Sequence, residues 1–150
     1  MQEKTSGFSK LLKQKKTEWV NTRGRVYKMG SKILVVDDQP GIRLLVEEIL
    51  KSEGFETISA KTGKQACNLA EEEKPDLVIM DYNLPVMHGR EVLNYWYEEG
   101  FDSPVIIITG LSEDEVREEV DYSFVEAVVT KPFDIQKLKE LVNGTVTHSH

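Results

Sequence analysis

The sequence predicts a doubly wound α/β domain, and three observations carry that prediction. Short apolar runs alternate strictly with helical patterns from Lys32 onward. The central runs are apolar at every position, as strands covered on both faces must be. Polar residues, by contrast, gather where several of these runs end.

Ile33 to Val36 form the first run, too short and too β-branched for a helix. Pro40 opens the first helix, where Ile42, Leu45, Val46 and Ile49 recur at helical spacing, and Gly54 closes it. Phe55 to Ser59 is the second strand, and Thr62 to Glu73 the second helix, stopped before Pro75. Leu77 to Met80 form the third strand. A helix from Gly89 to Glu99 follows and ends at Gly100. Val105 to Ile108 make the fourth strand, and Ser112 with Glu115 spells a capping box for the next helix. Val125 to Val129 are the fifth strand. Asp134 caps a last helix that sets Ile135, Leu138 and Val142 on one face. Five strands and five helices result, with no internal repeat.

The 150 residues carry a net charge of −7, unevenly spread. Residues 1–30 hold eight basic and two acidic side chains, a basic N-terminal extension expected to be flexible. The remaining chain holds 11 basic and 24 acidic ones, which repels phosphate backbones and argues against nucleic-acid binding. The domain is expected over residues 31–144, with 145–150 as a tail. One cysteine, Cys67, excludes an intramolecular disulfide and a Cys-rich metal site. Set beside Ala66, Leu69 and Ala70, it reads as a small core residue. Neither a transmembrane run nor a signal peptide is present, so a cytoplasmic location is expected.

In doubly wound sheets, ligands bind beyond the carboxyl ends of the strands. Here those ends hold Asp37 and Asp38, then Asp81, then Thr109, and finally Thr130 and Lys131. Singly, each has an ordinary use, as a helix cap, a turn hydroxyl or a solvated lysine. Together, three carboxylates without a cation raise one another's pKa, whereas Mg2+ accepts a few carboxylates and leaves positions for water and phosphate oxygens. The set suits phosphoryl transfer, with a carboxylate nucleophile on the middle strand and a lysine and hydroxyl on the phosphoryl oxygens. Asp81 is the natural acceptor. His88 is expected to be a solvated loop residue, and Trp96 with Tyr95 to be packing.

The stretches ILVVDD, VIMDYNLPVMHG, IIITG and VVTKPF resemble, in order and spacing, the four signatures of response-regulator receiver domains over about Lys32 to Val142. The resemblance implies a flavodoxin-like sheet of strand order 2-1-3-4-5 with five helices. It implies phosphorylation of Asp81 and direct Mg2+ ligation by Asp38 and Asp81, with Mn2+ as a substitute ion. Asp37 then acts through water, and the Asn83 backbone carbonyl is a further ligand. Thr109 and Lys131 bind the phosphoryl oxygens, and a cis peptide bond precedes Pro132. The reaction is self-catalysed transfer to and from Asp81 rather than conventional enzymatic turnover.

DDQPGIRLLVEEILKSEGFETISA with KPFDI is similar to the single-domain phosphorelay receivers of endospore-forming bacteria. That likeness implies docking of histidine-bearing helices by Gln39, Gly41, Ile42 and Arg43, extended by Leu45, Pro132 and Phe133. Ile42 also fits the buried stripe of its helix. The implied partners are a sensor histidine kinase and a histidine phosphotransferase, with no DNA-binding output domain and no membrane. Two departures stand out: Val128 replaces the aromatic common in receivers that drive an output domain, and Phe124 replaces a usual glycine. A terminal signalling receiver and a receiver from a hybrid kinase are the alternatives. A phosphatase with an aspartyl nucleophile is more distant, because the position of its acid/base Asp is Asn83.

Overall fold

The computed structural model of the chain describes residues 18–20, 26–28 and 31–148. Its elements are β1 (Lys32–Val36), α1 (Pro40–Ser52), β2 (Glu56–Ala60), α2 (Gly63–Glu73), β3 (Leu77–Asp81), α3 (Gly89–Glu99), β4 (Val105–Thr109), α4 (Glu113–Glu119), β5 (Val125–Thr130) and α5 (Ile135–His148). The five strands are all parallel, in the order β2-β1-β3-β4-β5. That is the doubly wound architecture the alternating pattern requires. The last helix runs on past the expected boundary at residue 144.

Strand side chains alternate between two cores, as the pleat demands. Ile33, Val35, Leu77, Ile79, Ile106 and Ile108 face α1 and α5, meeting Val46, Leu50, Leu138, Val142 and Val146. Leu34, Val36, Val78, Met80, Val105 and Ile107 face the other way, against Cys67 of α2, Trp96 of α3 and Val116 of α4. β3 and β4 are buried along their whole length. Cys67 and Trp96 are thus core residues, as expected, whereas Tyr95 is exposed.

Helix ends follow local chemistry. Pro40 starts α1, and Gly54 follows it at φ +93, a conformation that a Cβ disfavours. Thr62 caps α2 through its hydroxyl, which accepts from the Gln65 N–H at 3.1 Å. Capping boxes open both α3 and α4, the latter being the expected Ser112–Glu115 pair. Asp134 accepts from the N–H groups of Gln136 and Lys137 at the start of α5.

Two expected helix faces need correction. Leu45 recurs at the same helical spacing as Ile42, Val46 and Ile49, and is also expected at a docking patch; it is 41% exposed, while Val46, Ile49 and Leu50 form the buried set, with Ile42 packed at its edge. The 3.6-residue period rotates Leu45 to the margin of the face, beside the still more exposed Leu44. Ile135 likewise stands in solvent at the first turn of α5, while Leu138, Val142 and Val146 are buried. In the basic extension, Glu18–Val20 pairs antiparallel with Val26–Lys28, and the second of these strands lies against α5. Residues 1–17, 21–25 and 29–30 lie outside the described residues, and with them most of the expectation of flexibility.

Candidate active site at the carboxyl rim of the sheet

Register decides which side chains meet. Val36 pairs with Met80, so Asp37 and Asp81 follow side by side at the ends of β1 and β3. Thr109 pairs with Thr130 at the ends of β4 and β5, and Lys131 follows directly. The Lys131 N–H donates to the Thr109 carbonyl at 2.7 Å, and the Lys131–Pro132 bond is cis, as the resemblance implied.

One carboxylate oxygen from each of Asp37, Asp38 and Asp81 lies within 4.8 Å of the other two. Asp37 and Asp81 are buried, and Asp38 is exposed at the mouth. Lys131 donates from Nζ to Asp81 Oδ2 at 3.2 Å, while Asp81 Oδ1 accepts from the Asn83 N–H at 3.0 Å. Thr109 is wholly buried, and its hydroxyl oxygen accepts from the Leu111 N–H at 3.2 Å. The ordinary use of that hydroxyl, bracing its own turn, therefore coexists with its place beside the carboxylates.

Burial pushes the Asp37 carboxyl above its ordinary value of 3.8, and the neighbouring charges of Asp81 and Asp38 push the same way. The Gln39 N–H and Lys131 oppose the rise without cancelling it. Three carboxylates thus share one ammonium, a charge imbalance that a hard divalent cation would relieve. The donor set fits such an ion, being all oxygen and open on the side of Asp38.

The proposed docking residues divide by exposure. Gln39, Gly41 and Pro132 are exposed, Ile42 and Phe133 are half-buried against the α1–α5 core, and Leu45 is exposed. Arg43 has a structural duty as well: its guanidinium donates to the Asp37 carbonyl at 2.7 Å and braces the loop that carries two of the carboxylates. Leu44, on the same helix and not among those residues, is 58% exposed.

Two further contacts around the site were not legible in the sequence. Tyr82, next to the acceptor, is fully buried, and its hydroxyl donates to Glu119 at the end of α4. Burial and that contact raise the pKa of the phenol far above its ordinary value. His88, expected to be a solvated loop residue, is half-buried and caps α3; its Nε2 lies 3.3 Å from Asn83 Oδ1.

Residues 33–143 match the family model of the response regulator receiver domain. The chain belongs to that family. It is 38% identical to sporulation initiation phosphotransferase F of Bacillus subtilis over 114 residues, covering 76% of this chain and 92% of that protein. It is 30% identical to the polar-differentiation response regulator DivK of Brucella ovis over 118 residues, covering 77% and 96%. Among solved structures it is similar to the response regulator TrrA of Thermotoga maritima in complex with Mg2+–BeF. That match has a TM-score of 0.69 at 34% identity and covers 77% of this chain and 98% of that one. The four stretches on which the resemblance rested all lie within the matched residues, and Val128 is half-buried. No helix among the described residues is long and apolar enough to cross a membrane.

Proposed function

We propose that this receiver is a phosphorelay intermediate, taking a phosphoryl group from a phosphohistidine onto Asp81 and passing it to another histidine. The observation that carries the reading is the Asp81 carboxylate itself, buried at the end of the middle strand with one oxygen on Lys131 and two more carboxylates beside it. In transfer, an Asp81 oxygen attacks phosphorus, the P–N bond breaks, and the imidazole leaves with its electron pair. Lys131 stays beside the phosphoryl group and offsets its charge, and the Thr109 hydroxyl donates to one of its oxygens. The Asn83 N–H steadies the carboxylate from the other side. Asp38, Asp81 and the Asn83 carbonyl would hold Mg2+, with Asp37 acting through water; when bound, the ion would neutralise charge on the phosphoryl oxygens. Return transfer reverses the same bonds.

Two features favour relay over terminal signalling. The exposed pair Leu44 and Leu45 lies on α1 near the acidic mouth, where an apolar helix face of a partner can seat. The likeness to a sporulation phosphotransferase over most of both chains points the same way. The partners are then a sensor histidine kinase and a histidine phosphotransferase, met in the cytoplasm.

The test uses the whole chain, Mg2+ and a small acyl-phosphate donor or a phosphorylated kinase. Asp81→Asn is close to isosteric and cannot form an acyl phosphate, so labelling disappears while the fold persists. Labelling of Asp81→Asn at the wild-type rate overturns the assignment. If the labelled wild type returns its group to no histidine phosphotransferase offered, the relay role gives way to terminal signalling.

A further inference from the structure

Two helices of this domain begin with capping boxes, and the boxes differ in one respect. At α4 the cap is Ser112, whose hydroxyl accepts from the Glu115 N–H at 3.2 Å and makes no other side-chain hydrogen bond among the described residues. At α3 the same duty falls to His88: Nδ1 accepts from the Arg90 N–H at 3.1 Å, and Glu91 returns the bond to the His88 N–H at 2.9 Å. A hydroxyl suffices for the cap, so the imidazole does something a serine would not. With Nδ1 accepting, the ring proton sits on Nε2 and points to Asn83 Oδ1, 3.3 Å away. The edge-to-face contact with buried Tyr82, centroids 4.7 Å apart, fixes the ring plane. The ring is therefore held from three directions with its donor aimed at Asn83.

Asn83 is where this matters. Its N–H binds Asp81 Oδ1, and its side chain is exposed beside the acceptor. We propose that His88 is a positioning residue that ties up the Asn83 amide oxygen and thereby slows loss of the phosphoryl group to water. The inference rests on Asp81 being the phosphoryl acceptor. In the competing hydrolysis, a water oxygen attacks phosphorus and the bond from phosphorus to the Asp81 oxygen breaks. Inorganic phosphate leaves carrying the water's oxygen and both its hydrogens, and the carboxylate is restored. A water in line for that attack is best oriented when a neighbouring acceptor takes its hydrogen. The Asn83 amide oxygen is a neutral side-chain acceptor two residues after Asp81, and His88 already engages it. A relay intermediate gains from this, because a group lost to water never reaches the next histidine.

The experiment follows decay of label on the intact chain after the small donor is removed, with Mg2+ present. His88→Ser keeps an N-cap but cannot reach Asn83; its label is expected to decay about two- to tenfold faster, the worth of one neutral hydrogen bond. His88→Gln, which carries both an acceptor and a donor, restores most of the lifetime. On an Asn83→Ala background, which keeps the backbone carbonyl and N–H, His88→Ser changes nothing further. An unchanged or longer lifetime in His88→Ser overturns the inference. So does an equal acceleration on the Asn83→Ala background, which would mean the effect travels through the cap. Absence of any label on the wild type would instead strike at the acceptor assignment.

Discussion

The two ends of the parallel sheet are built from similar residue types and balance their charges differently. At the amino end, Lys32 pairs with Glu73 at 2.8 Å, and its N–H binds Asp76 at 2.9 Å. Ser103 donates to the Pro75 carbonyl, and Phe101 stacks on Trp96. Polar groups there have local partners, and the contacts join loops. At the carboxyl end, Asp37, Asp38 and Asp81 crowd together, and Lys131 pairs with Asp81. Such crowding costs stability, since burial and like charges raise the Asp37 pKa. A fold tolerates an uncompensated charge where an incoming ion or phosphoryl group completes it. The difference between the ends is therefore the difference between structure and function.

Adding Mg2+ is the largest perturbation of that contrast. If the ion relieves the carboxyl end, the melting temperature rises with Mg2+, by about 2.7 kcal/mol of added stability at a hundredfold excess over the dissociation constant. Asp38→Ala loses this response, and phosphorylation with it. Glu73→Gln, at the opposite end, keeps the full response, because that solvent-screened ion pair lies far from the three carboxylates. Thermal melts across a Mg2+ titration of the three proteins decide the matter. An unchanged response in Asp38→Ala places the ion elsewhere and removes the contrast.

A second test sharpens the contrast at the rim itself, by separating chemistry from docking. Leu45 is exposed and touches none of the carboxylates, so Leu45→Ala leaves labelling by a small donor near normal. Docking a helix would bury the rest of that side chain, and its loss slows exchange with a histidine phosphotransferase roughly fivefold or more in both directions. Ile42→Ala is the harder case, because Ile42 packs against the α1–α5 core and its truncation also lowers the melting temperature. Equal weakening of both reactions in Leu45→Ala would make the residue structural.

These residues also show what could be seen before the fold was known. Strand and helix order was legible because burial on two faces forces unbroken apolar runs, as in Leu77 to Met80 and Val105 to Ile108. The rim was legible because its members end those runs, and register then aligns Asp37 with Asp81. The orientation of a helix edge was less so. Leu45 and Ile135 sit where a small rotation chooses between core and solvent, and periodicity does not resolve that angle. Contacts between distant positions left no local trace: Tyr82 reaches Glu119 across 37 residues, and nothing in either neighbourhood announces it. His88 was hidden differently. Ser, Thr, Asp and Asn are the usual caps, so a histidine there reads as loop until its second nitrogen finds Asn83.

The smallest expected effect lies away from the rim and checks that the amino end has no reactive chemistry of its own. Cys67 lines a groove with Trp96, Phe101 and Ser103 between the ends of α2 and α3. Burial pushes its thiol from an ordinary 9.0 up to about 11. A group whose folded-state pKa is raised contributes stability that is fully present below the unfolded value and lost as pH climbs through the folded one. Between about pH 9 and 11 the unfolded chain releases the thiol proton while the folded chain keeps it, so folding weakens. The slope is at most about 1.4 kcal/mol per pH unit. Cys67→Ala lacks this titration. Its melting temperature, set against wild type, is therefore offset by a constant amount from pH 6 to 8, and gains on wild type from pH 9 to 10.5. Other alkaline groups titrate in both proteins and cancel in the difference. A difference that stays flat to pH 10.5 would mean the thiol meets water in the folded state, and the amino end would then hold a reactive group after all.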